Sequence, residues 1–127
     1  MPDRWIDQTS FYDPSIRANG NCTEAAVASL LGIGLDDVPR FRDAGPGPED
    51  FWDAFDAFFA GRGLEVVCLP GNHAPDCLYL ASGKASRGCS HMVVMRGGKL
   101  AHDPHPSREG VAQIDRVWLV VPRDLAA

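Results

Sequence analysis

Cys22 is the residue whose position says most about chemistry. It follows Asn21 at the start of an apolar stretch with the character of a helix, and Glu24 lies where it can complete a capping-box-like pair with Asn21. The unpaired N–H groups and the positive dipole end of a helix N-terminus favour a thiolate, the form of cysteine that acts as nucleophile. A lone cysteine more often fills space where a helix enters a core. The assignment therefore depends on His91, which opens a strand-like run and could act as general base, and on Asp103 in His102-Asp103-Pro104-His105, which could orient the imidazole. Such a constellation performs acyl transfer. The Cys22 N–H is one natural oxyanion donor, with Gln8, Asn19 and Asn21 as side-chain candidates. Glu24 opposes the thiolate unless its carboxylate turns back to cap the helix.

The spacing between His91 and Asp103 leaves two arrangements. Met92 to Leu100 reads as a tight hairpin, because the paired glycines Gly97 and Gly98 supply the positive φ that such turns require. A two-residue turn pairs His91 with Pro104, sets His102 on its face, and gives a Cys-His-His site. A three-residue loop, Arg96-Gly97-Gly98 with Gly98 in a left-handed bulge position, sets His91 opposite Asp103. The second is favoured, since a carboxylate is the better acceptor for imidazolium.

These residues need a helix and a sheet to bring them together. The first helix is expected from Asn21 to near Gly32, and its body Ala25 to Leu31 is apolar on nearly every side, which places it in the centre of the domain. Pro48, followed by Glu49 and Asp50, opens a second helix that ends near Gly61 or Gly63 and carries the stripe Phe51, Phe55, Phe58, Phe59. Strands are expected over 64–69, 77–81, 91–96, 99–102 and 117–121. Helices followed by an antiparallel sheet make the chain α+β.

At 127 residues the chain is expected to be a single domain, residues 1–127, with one core. Its net charge of −5 provides no electrostatic footprint for nucleic acid. The apolar stretch Ala25 to Ile33 is far short of the roughly 20 residues a membrane span needs, and Met1-Pro2-Asp3-Arg4 opens no signal peptide. A cytoplasmic location follows as the expectation, with the four cysteines as free thiols and Cys68, Cys77 and Cys89 structural. His73 sits in a polar loop and is expected to be exposed.

Two rival functions follow from other residues. His73, His91, His102, Asp103 and His105 are metal-ligand types, but no Cys-x-x-Cys or His-Glu-x-x-His accompanies them, and two prolines separate the rings of His102 and His105 from a common face. The segment Phe51-Trp52-Phe55 could instead be the face of a binding module or inhibitor without turnover. Its simpler reading is a helix packed on the sheet.

Gly20-Asn21-Cys22-Thr23-Glu24-Ala25-Ala26, Ser90-His91-Met92-Val93-Val94 and His102-Asp103-Pro104 together resemble the papain-like cysteine peptidase superfamily, specifically small bacterial and phage-type members similar to bacteriocin-leader peptidases. Cys22 to Phe41 with His102 to Ser107 also looks like a group of short phage and bacterial proteins. The resemblance implies Cys22 as nucleophile, His91 as base and Asp103 as its orienting partner, in a peptidase or amidase that takes a peptide or amide substrate and needs no cofactor or metal. Thr23 and Glu24 stand where the papain signature has glycine and serine.

Overall fold

The computed structural model describes residues 5–13, 15, 20–86 and 88–124. Helix α1 spans Cys22–Leu31 and α2 spans Pro48–Ala60, with two short 3-10 turns between them at Leu35–Asp37 and Phe41–Ala44. Five strands follow: β1 Leu64–Pro70, β2 Leu78–Lys84, β3 Ser90–Arg96, β4 Lys99–His102 and β5 Gln113–Pro122. They form one sheet in the order β1-β5-β2-β3-β4, with every pairing antiparallel. The protein is thus α+β, with helices packed on an antiparallel sheet.

Because α1 has no polar face, it is buried from Glu24 through Leu30 and lies against β3 and β2. It stops where Gly32 adopts a left-handed conformation, φ 69°, and its N–H turns back to the Ala28 and Ser29 carbonyls. Asn21 occupies the N-cap position but its side chain makes no cap bond, contrary to the expected capping box. Longer-range partners take that side chain instead: its Oδ1 accepts from the Thr9 and Ser10 N–H groups at 2.9 and 3.0 Å, and its Nδ2 donates to Thr9 Oγ1 at 2.9 Å.

Helix α2 begins at Pro48 as its sequence predicts and ends before Gly61. Its stripe divides by depth, with Phe55 and Phe59 fully buried and Phe51 and Phe58 half-buried. Phe41 is the hub of this cluster, edge-on to Phe51, Phe55 and Phe58 at 5.6 to 6.0 Å, and Trp52 stacks on Trp118 of β5 at 4.7 Å. Alternation along β2 then separates two cores. Leu78 and Leu80 join the helices, while Tyr79 and Ala81 pack with Val93, Met95 and Val117 on the opposite face, under Val111 and Ile114.

Two strand expectations need correction. β5 begins at Gln113, four residues before the apolar run at Val117, because the polar segment 113–116 pairs with Ser82 to Lys84. The hairpin loop is two residues, not three: Arg96 pairs with Lys99 across Gly97 and Gly98, whose φ values are 58° and 81°. The ladder then slips by one, since Val94 faces His102 while Met95 faces Leu100, leaving Ala101 as a bulge. A one-residue slip exchanges the faces of every later side chain. The bulge therefore achieves what the longer loop was expected to do, and Asp103 reaches His91. No helix among the described residues is long and apolar enough to cross a membrane.

Phe41 links the aromatic cluster to α1, because its N–H donates to Glu24. Truncation by Phe41→Ala is expected to cost about 3–5 kcal/mol, as read from the shift in urea midpoint at constant m-value.

Candidate active site

Cys22 is the first residue of α1, His91 the second of β3, and Asp103 the first after β4. The fold brings all three together. His91 Nε2 donates to Asp103 Oδ1 at 2.6 Å, with both side chains almost wholly shielded from solvent, and the Cys22 side chain lies close enough to the ring to act on its charge. Since Asp103 occupies Nε2, Nδ1 is the nitrogen left for the sulfur. The Asp103 carboxylate is fixed from behind by two amides: the His105 N–H on Oδ1 at 2.9 Å and the Gly110 N–H on Oδ2 at 2.7 Å.

These contacts decide the charges. Burial disfavours an imidazolium, but the hydrogen bond to Asp103 and the charge of its carboxylate, together with the neighbouring Cys22 side chain, outweigh it and push His91 up to about 9. Burial likewise disfavours the Asp103 carboxylate; the His91 ring and the two amide donors overcome it and hold Asp103 at about 2. At neutral pH the pair is therefore imidazolium and carboxylate.

His102, the other candidate for third member, is directed elsewhere. Its Nε2 donates to the Ile6 carbonyl at 2.9 Å and lies 3.3 Å from Asp7 Oδ1, and its ring stacks on Trp5 at 5.3 Å. Gln8 lines the same cleft as Cys22 and His91. Its backbone N–H donates to the Pro104 carbonyl at 3.1 Å and its Nε2 to the Ser10 carbonyl at 3.0 Å, which leaves one side-chain N–H of the amide for another acceptor. The Asn21 amide is turned to Thr9 and Ser10 instead, and Asn21 is not among the residues that line the cleft. Asn19 lies outside the described residues. Glu24 does not cap α1; its buried carboxylate accepts the Phe41 N–H at 3.0 Å.

The cleft has a volume of about 610 Å³. Beyond Gln8, Cys22 and His91, its apolar wall is Phe51, Trp52 and Met92, with Phe11 and Tyr12 on the rim. Several lining residues were not singled out by type or spacing: Arg42 and Ser82 come from separate elements that only tertiary packing brings to the cleft. Cys89 also lines it and is half-buried, whereas Cys68, in β1, and Cys77, just before β2, are exposed. His105 stands edge-on to His91 at 6.2 Å, and exposed His73 folds back on the Pro70 carbonyl. Among the described residues no three His, Cys, Asp or Glu side chains converge as a metal-ligand set.

No family model, no curated protein and no solved structure matches this chain.

The two shifted groups make stability depend on pH in opposite senses. Asp103, lowered, contributes fully above its unfolded value near 4 and loses that contribution as pH falls toward 2; His91, raised, contributes fully below about 6.5 and loses it as pH rises through about 9. The difference in Tm between the native chain and His91→Gln is thus expected to be widest between about pH 4 and 6.5, to shrink as pH rises from there to about 9, and to change little beyond. Melting curves across pH 4 to 10 check this, and a difference independent of pH would contradict it.

Proposed function

We propose that this chain is a papain-like cysteine hydrolase, a peptidase or amidase that works by Cys-His-Asp acyl transfer. The observation that carries this reading is the shielded 2.6 Å contact between His91 and Asp103 beside a thiol at a helix start on the same cleft.

The chemistry runs as follows. An imidazolium has two N–H donors; one meets Asp103 and the other meets the Cys22 sulfur, which accepts best as thiolate. The sulfur attacks the carbonyl carbon of an amide, forming the S–C bond and an oxyanion. The Cys22 N–H at the first helical position, where no intrahelical acceptor exists, and the second side-chain N–H of Gln8 hold that oxyanion. Collapse breaks the C–N bond as His91 gives its proton to the leaving amine. His91, now neutral, takes a proton from water, which attacks the thioester; the C–S bond breaks, releasing the acid and restoring the Cys22 thiolate beside the His91 imidazolium. Asp103 holds the ring in the required tautomer throughout.

The Phe51, Trp52 and Met92 wall suits an acyl or amine group with an apolar side chain. Four unpaired cysteines fit a reducing, cytoplasmic setting, and a net charge of −5 suits a peptide or amide substrate better than nucleic acid.

Cys22 is expected to react with iodoacetamide well below pH 8 and ahead of Cys68, Cys77 and Cys89, as read by intact mass and peptide mapping. His91→Ala should remove that preference and lower turnover of a cleavable amide by about 10²- to 10⁴-fold, and Cys22→Ala should abolish turnover. A Cys22 no faster than the exposed thiols would leave a binding module that kept the fold without the chemistry.

A further inference from the structure

One cation, Arg108, contacts the turn that presents Asp103. Arg108 has the only positive φ of any non-glycine among the described residues, 55°, a conformation L side chains adopt only where the surroundings enforce it. From there its guanidinium folds back over the turn. Nη1 lies 2.5 Å from the Asp103 carbonyl and 3.3 Å from that of His105, and the fork also grips the Asp7 carboxylate, Nη1 on Oδ1 at 2.5 Å and Nη2 on Oδ2 at 2.9 Å. The two amides that hold the Asp103 carboxylate, those of His105 and Gly110, lie on either side of Arg108 in the same turn. Asp7 belongs to a segment whose neighbours bind both halves of the site: Ile6 N–H donates to Ser29 Oγ on α1 at 2.8 Å, and Gln8 N–H donates to the Pro104 carbonyl.

We propose that Arg108 is a positioning residue for the His91–Asp103 pair: it locks the turn 103–110 in the conformation in which the Asp103 carboxylate meets the His91 ring, and through Asp7 fastens that turn to the segment lying along the Cys22 helix. The proposal rests on the Cys-His-Asp reading above. An ammonium would not replace the guanidinium, because only a planar fork meets a carboxylate with two bonds while serving carbonyls on its other edge. Arg108 does not touch the His91 ring. The titratable groups facing that ring are Cys22, Asp103 and His105; those facing the guanidinium are Asp7 and, beyond it, His102.

The test is the pH profile of Cys22 alkylation by iodoacetamide in the full chain, with Arg108→Gly, which accepts positive φ without strain, and Arg108→Gln, which keeps length without charge. In the native chain Cys22 alkylation is expected to set in at lower pH than alkylation of the exposed thiols, because an imidazolium held by Asp103 favours the thiolate. In both variants that onset is expected to move up by about one pH unit, because a loosened Asp103 stabilises imidazolium less. An unmoved onset in whichever variant folds overturns the proposal, even if Tm has fallen. Asp103→Asn separates the two levels: an onset unmoved in that variant removes the triad reading itself, whereas an onset that shifts with Asp103→Asn and not with the Arg108 variants removes only the role of Arg108.

Discussion

The His91–Asp103 contact is the interaction on which the other features of the site depend. A carboxylate and an imidazole shielded this completely are costly to bury, and each is tolerated because the other neutralises it while amide donors satisfy the remaining lone pairs. Removing either partner would leave the other charge buried. The same enclosure that makes the pair expensive fixes the imidazole ring and determines which nitrogen faces the thiol. Positioning and protonation are consequences of one packing arrangement.

Three separate parts of the chain enforce that arrangement. Helix α1 delivers the thiol because its apolar circumference forces it into the core against β3. The bulge at Ala101 turns the end of β4 so that Asp103 follows the histidine's face. The segment 5–10 then runs between these halves, bound to α1 by Ser29 and Asn21 and to the turn after β4 through His102, Pro104 and Arg108. Gln8 is carried by this segment, so its reach into the cleft depends on contacts made by its neighbours.

Much of this was legible in the residues. Helix limits at Asn21, Gly32, Pro48 and Gly61 were legible in local residue types and appear there, with Gly32 left-handed and Pro48 at the first helical position, although Asn21 supplies no cap bond. Five strands and their order of appearance followed from β-rich runs. What failed is non-local. Asn21 is a good cap by type, but backbone donors at Thr9 and Ser10 compete for its oxygen, and no short-range pattern reports them. The register after Gly98 could not be read because a bulge at Ala101 has no side-chain signature; the right partner was inferred for His91 through the wrong loop. No pattern of residue types marks Arg108, since its significance lies in a backbone angle and in a contact with Asp7, 101 residues away in sequence.

The sheet order bears on when the site can exist during synthesis. β5 lies between β1 and β2, so the sheet cannot close until that strand has left the ribosome, and the Asp7–Arg108 contact joins residues 101 apart in sequence. Contacts of such separation form late, because loop-closure entropy must be overcome before they contribute anything. A nascent chain can thus expose Cys22 and its helix long before His91 and Asp103 are aligned beside them. The topology thus delays the meeting of Cys22, His91 and Asp103 until the last strand is in place.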